Sequence, residues 1–299
     1  MKILIAPDSF KDCLSARGVA AALAKGIRSI LPDVDCMLVP MADGGEGTVE
    51  SVIDATRGKR IALKVMDPLM RETGSFYGIT GDGQTAVIEM AAASGIELLK
   101  VEERNPWITS TFGTGQLIKD ALDRGVRKIL LGIGGSATND GGAGMAQALG
   151  VKFSGKTEAV SVQGGGALAE LEQVHMEDLD PRIRQTEILV ACDVSNPLTG
   201  PHGASAVYGP QKGADEEMVQ KLDRNLVHMA GLIREHLGKE ISEIPGAGAA
   251  GGLGAGLMAF LDARLMKGFD MIAGVVGLEE RIRGADLVIT GEGRMDAQT

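Results

Sequence analysis

Short runs of Val, Ile and Leu alternate along the chain with longer stretches in which apolar residues recur every three or four positions. The runs at residues 2–6, 128–133 and 286–290 each end in a small or polar loop and then give way to a helical pattern. Residues 36–41, 85–90 and 187–191 are further strand candidates. Continuous apolar runs of this length suit strands buried on both faces, as in parallel sheets covered by helices. Helices are predicted at 16–29, 115–123, 144–149, 216–237 and 253–262, with Ser15 placed to cap the first. The fold class expected is therefore α/β, a mostly parallel sheet with helices on its faces. Ligands in such sheets sit beyond the carboxyl ends of the strands, so the loops after the strands are where chemistry is to be sought.

Composition narrows the picture. At 299 residues the chain can bury one large core or two moderate ones, and two lobes are expected. Hydrophobic residues make up 44% of it and aromatics only 3%, with 43 glycines. That is an aliphatic core with many tight turns, unlike an aromatic-rich sandwich or a stacking platform for nucleic acid. The formal net charge of −10 argues against nucleic acid or an anionic membrane surface as partner. An anionic ligand must then be held by local donors. Cys13, Cys36 and Cys192 show no C-x-x-C spacing, which fits reduced thiols in a cytoplasmic protein and offers no zinc site. The first apolar run is too brief for a signal segment. Residues 247–261 are broken by glycine, so no membrane span is expected.

The strand-end loops hold the unusual residues. After the first strand come Asp8, Ser9 and Lys11, able to orient a hydroxyl or metal and to neutralise a phosphoryl group, or else forming a plain turn ahead of the Ser15 cap. In PMADGGEGT, Asp43 and Glu46 flank paired glycines, which suits Mg²⁺ or polyol hydroxyls as well as an acidic turn capping the next helix. The stretch GIGGSATNDGGAGM places Gly134, Gly135, Ser136, Thr138, Asn139 and Asp140 between a strand and a helix, where backbone amides and neutral side chains can bind phosphate or substrate. It is neither a Walker A loop nor a G-x-G-x-x-G fingerprint. Asp193 follows another strand, although Asn196-Pro197 beside it is an ordinary turn signal. In TGEGRMDAQT, Gly291, Glu292, Arg294 and Asp296 form either an anion clamp or a surface ion pair. The glycine-rich residues 246–256 read as close helix packing, a flexible segment or a phosphate loop. None of the four histidines pairs with a nucleophile, so a hydrolase triad is not supported.

Taken together, residues 6–16 (APDSFKDCLSA), 40–48 (PMADGGEGT), 111–115 (TFGTG), 133–145 (IGGSATNDGGAGM), 192–200 (CDVSNPLTG), 209–214 (GPQKGA) and 290–299 (TGEGRMDAQT) resemble the bacterial glycerate kinase family, type I or glycerate 2-kinase group. The resemblance implies ATP-dependent phosphorylation of D-glycerate to 2-phosphoglycerate with Mg²⁺. It also implies two lobes with the active site in the cleft between them. One is Rossmann-like and built from both chain ends, residues 1–63 and 282–299; the other is an inserted α/β domain, residues 64–281. Members usually continue after the last motif into a Gly-Lys-x-Pro loop, so the chain is expected to stop short of the family's C-terminal end.

On this reading Lys11 and Arg294 neutralise charge, and residues 134–142 cradle phosphates. One of Asp8, Asp43, Asp140 and Asp193 takes the hydroxyl proton while others hold Mg²⁺. Asp193 is placed first at the hydroxyl, and Asp43 with Glu46 at the metal. The partners expected are glycerate and nucleotide, with a homodimer as a further expectation. The rivals are a kinase for another small hydroxy acid, a non-catalytic sugar-acid or nucleotide-binding module, and an NAD-dependent oxidoreductase. The last of these lacks its fingerprint.

Overall fold

The structure is a computed structural model that describes residues 1–10, 13–45, 47–156 and 158–293. Of the candidate site residues, Lys11, Glu46, Arg294 and Asp296 lie outside the described residues.

Strand β1 (Lys2–Pro7) leads into helix α1 (Ala16–Ile30), where the Ser15 hydroxyl accepts from the Gly18 amide at 3.2 Å. Then come β2 (Asp35–Leu38), α2 (Thr48–Thr56), and a hairpin of β3 (Lys59–Met66) and β4 (Glu72–Ile79). Next are β5 (Thr85–Glu89), α3 (Ala91–Ser94), α4 (Phe112–Asp123), β6 (Lys128–Gly132) and α5 (Ala143–Ala148). A small side sheet holds β7 (Lys152–Ser154), β8 (Ala159–Val160) and β9 (Gln173–His175). The chain continues through β10 (Glu187–Ala191), α6 (Ala204–Tyr208), α7 (Glu216–Leu237) and α8 (Ala249–Leu261). It closes with β11 (Arg264–Met266), α9 (Gly268–Val275), α10 (Leu278–Arg283) and β12 (Leu287–Gly291).

Two larger sheets result. One runs β12-β1-β2 and is wholly parallel, so it joins both ends of the described chain. The other runs β11-β10-β6-β5-β4-β3, parallel through β5 and antiparallel in the β3–β4 hairpin. The α/β class with a mostly parallel sheet is thus the observed one. All of β3 pairs in the six-stranded sheet.

Side chains alternate across each strand and sort into three cores. Ile129 and Leu131 of β6, with Ile188 and Val190 of β10, face α4, α5, α7 and α8. Leu130, Leu189 and Ala191 face the opposite way, into a core shared with Met271 and Ile272 of α9, Val49 and Val52 of α2, and Leu4 of β1. Ile3 and Ile5 of β1 turn to Ala20 and Ala24 of α1. The architecture is therefore five layers, with α2 and α9 sandwiched between the two sheets. That middle layer explains the unbroken apolar runs, since each strand must be oily on both faces.

The glycine-rich segment 246–256 packs rather than binds. At Gly251, φ is +68° and a Cβ would stand 1.9 Å from the Thr138 carbonyl oxygen. Its own carbonyl accepts from the Gly141 amide at 3.1 Å. Only glycine permits that backbone crossing. Among the described residues no helix is long and apolar enough to cross a membrane.

Candidate active site

The carboxyl ends of both large sheets open on the same place. From the three-stranded sheet, the Asp8 amide donates to the Gly291 carbonyl at 2.8 Å, and Asp8 Oδ1 accepts from the Ser9 amide at 2.6 Å. Burial pushes the Asp8 carboxyl above its ordinary value; the nearby carboxylates of Asp43 and Glu292 push the same way, and the Ser9 amide pulls back. Asp8, Asp43 and Glu292 thus share one region of negative charge. Asp43 Oδ1 accepts from the Gly45 amide at 2.8 Å, which shapes the loop after β2. That loop crosses to the other sheet, where a Cβ on Gly132 would meet the Gly44 carbonyl oxygen at 2.0 Å.

From the six-stranded sheet, Asp193 follows β10, and its Oδ1 accepts from the Gly268 amide at 3.1 Å, the first residue of α9. A Cβ on Gly268 would lie 1.5 Å from the Asp43 carbonyl oxygen and 3.1 Å from Asp193 Oδ2. The absence of a side chain there lets the Asp43 loop and Asp193 meet across the start of α9. Glu89 belongs to the same place, although no sequence pattern singled it out. It is the last residue of β5, sits opposite Gly132 in register, and its Oε1 accepts from the Val49 amide in the first turn of α2 at 2.8 Å. An acid ending a buried apolar run was the signal available.

The glycine loop after β6 divides in two. Gly134 and Gly135 are exposed, and neither amide donates to a protein acceptor among the described residues. Ser136, Thr138, Asn139 and Asp140 are buried beneath them. Asp140 accepts from the Thr111 amide at 2.8 Å, the Thr111 hydroxyl at 2.9 Å, and the Gly142 and Gly144 amides at 3.1 and 3.3 Å. Burial pushes its carboxyl up while those donors pull it down. Asn139 Nδ2 donates to Ser205 Oγ at 3.0 Å. Lys212 Nζ donates to Ser136 Oγ and to the Thr138 carbonyl, each at 2.7 Å. Asn139 and Asp140, read as binders of phosphate or substrate, are therefore turned inward and hold the loop's shape.

Among the described residues no three acidic, His or Cys side chains converge so as to hold a metal ion. One or two carboxylates completed by nucleotide phosphates are the usual Mg²⁺ arrangement. Burial is the main reason Asp8 is raised, but Asp43 and Glu292 add negative charge beside it that a divalent ion would offset, so the donor set fits such an ion. A separate cleft of about 490 Å³ lies beyond the opposite, amino ends of β5 and β6, lined by Thr85 and Lys128 among others, away from these loops.

A sequence model described as the glycerate kinase family matches residues 3–299. A glycerate kinase of Halalkalibacterium halodurans is 55% identical over 297 residues, which is 99% of this chain and 78% of that one. The glycerate 2-kinase of Escherichia coli is 53% identical over 299 residues, covering 100% of this chain and 78% of that one. A crystal structure from Salmonella typhimurium LT2, assigned as a glycerate kinase 2, matches with a TM-score of 0.97 at 50% identity, covering 99% of this chain and 80% of the other. With matches running from end to end, the chain belongs to the glycerate kinase family.

Proposed function

We propose that the protein transfers the γ-phosphoryl group of ATP to the C2 hydroxyl of D-glycerate, giving 2-phosphoglycerate. The observation that carries this reading is the meeting of Asp43 and Asp193 across Gly268, in a chain 53% identical to a glycerate 2-kinase. Phosphoryl transfer is mostly positioning and charge stabilisation, so the site needs a hydroxyl acceptor, phosphate donors and counter-charge rather than a strong base. Asp193 Oδ1 is fixed by the first amide of α9, which leaves the second oxygen to orient the glycerate hydroxyl and receive its proton. The exposed Gly134 and Gly135 amides supply donors for phosphate oxygens. Lys11 and Arg294 supply the positive charge. Asp43 and Glu46 would hold Mg²⁺, with Asp8 near Asp43; the ion when bound offsets charge on the phosphates. Asp140 already accepts four hydrogen bonds, and its role is to hold the loop. We place the enzyme in the cytoplasm, in keeping with three unpaired cysteines.

The test is ADP release with ATP, Mg²⁺ and D-glycerate, with NMR of the product to locate the phosphate. Asp193→Asn is expected to lower kcat by about 10²-fold or more with its circular dichroism unchanged. Turnover that does not depend on glycerate would remove the assignment.

A further inference from the structure

Lys212 is 1% exposed. Lysines are almost never so deeply buried unless paired. It closes the short turn Pro210–Lys212, its own amide donating to the Gly209 carbonyl at 3.0 Å. From there the side chain runs inward to the loop after β6, where its amine meets Ser136 Oγ and the Thr138 carbonyl. Asp140 acts on it only through space, being engaged by Thr111, Gly142 and Gly144. A buried amine held by neutral acceptors alone is a poor way to fill a core, since such bonds return little against the cost of desolvating the amine. An aliphatic side chain would pack more favourably. What the amine grips is therefore the informative part.

It grips one side of the candidate phosphate loop. The other side is held by the chain after β5: the Ile96 amide donates to the Gly135 carbonyl at 2.8 Å, and the Ala137 amide to the Ser94 carbonyl at 2.9 Å. Between these clamps only Gly134 and Gly135 emerge to solvent. Donation from Lys212 into Ser136 Oγ uses a lone pair of the hydroxyl and leaves its hydrogen to donate elsewhere. We infer that Lys212 is a positioning residue for phosphoryl transfer: it sets the backbone of residues 134–138 and orients the Ser136 hydroxyl toward a phosphate oxygen. This rests on the kinase reading above. Burial pushes the amine down to about 7, against the pull of Asp140. In either protonation state the amine has hydrogens enough for its two acceptors.

The experiment compares wild type, Lys212→Met, Lys212→Arg and Ser136→Ala in the full-length protein. Steady-state kinetics for ATP and D-glycerate are read together with amide hydrogen exchange over residues 134–138. Lys212→Met is expected to lower kcat by about 10²-fold, with KM for glycerate within about threefold of wild type. Exchange at residues 134–138 should quicken at least about tenfold while amides in the middle of α7 keep theirs. Ser136→Ala should move both readouts the same way by about tenfold, and Lys212→Arg should recover part of the loss. A folded Lys212→Met with kcat within about twofold of wild type, or with unchanged exchange at residues 134–138, overturns the inference. If Lys212→Met does not fold, Ser136→Ala decides by the same two readouts. A wild type without glycerate-dependent turnover sinks the kinase reading alone, because the exchange comparison still decides whether Lys212 positions the loop.

Discussion

Asp8 and Asp43 lie in the loops after neighbouring strands, and the negative charge of Asp43 is one reason, after burial, that the Asp8 carboxyl is raised above 3.8. The folded state therefore binds a proton on Asp8 more tightly than the unfolded chain does. That contribution favours folding fully below about pH 3.8 and is lost as pH rises through the folded pKa. Asp43→Asn keeps an oxygen to accept from the Gly45 amide but removes the charge. The variant should gain stability over wild type as pH rises from about 4 to about 7, with little difference below that range. Urea midpoints measured in EDTA across this range check it, and a pH-independent difference would show the two carboxylates uncoupled. At this scale Asp8, Asp43 and Asp193 were legible because each is the first acid beyond an apolar run. Glu89 was not, since it ends the run itself and reads as part of the strand. Lys212 was not either, because nothing local tells a buried lysine from a solvated one.

Among whole elements, the strands buried on both faces were read nearly to the residue: 2–6 against Lys2–Pro7, and 187–191 against Glu187–Ala191. The β3–β4 hairpin escaped because it lies at the sheet's edge. Its polar and apolar positions are mixed, with β3 showing only Ile61 and Val65 buried, so it forms no continuous apolar run. Helices α2 and α9 escaped as well, being short and rich in small residues, although their place between the sheets makes them central to the core. Two glycines separate these contexts, one in the helical turns of α9 and one at the non-helical kink of residues 250–252 in α8. In α9 a Cβ on Gly274 meets nothing within 4 Å, so Gly274→Ala is expected to stabilise by about 0.5–1 kcal/mol. In α8, Gly251→Ala must strain a positive φ and displace the Thr138 carbonyl, at an expected loss of about 2–4 kcal/mol. Chemical denaturation of the two variants reads the contrast. Equal effects would mean that the α8 crossing is not as close as described.

Across the whole molecule, both sheets point their carboxyl ends at one region, which gathers Asp8, Asp43, Glu89, Asp193 and Glu292 from strands far apart in sequence. The chain as a whole carries a formal charge of −10. Its proposed substrates are anions. The long-range field must therefore oppose their approach, while in the proposed mechanism the local donors of the glycine turn and the charges of Lys11 and Arg294 hold them once they arrive. These two effects have different ranges, and salt separates them. Raising ionic strength from about 0.01 to about 0.15 M shortens the Debye length from about 30 to about 8 Å, which removes the field of distant carboxylates before it weakens contacts within the site. With MgATP saturating, kcat/KM for glycerate is expected to rise about two- to fivefold over that range, and kcat to stay within about twofold. A fall in kcat/KM instead would show that local cations already outweigh the acidic surface, and would make Lys11→Ala and Arg294→Ala the variants in which the sign of the salt effect should reverse.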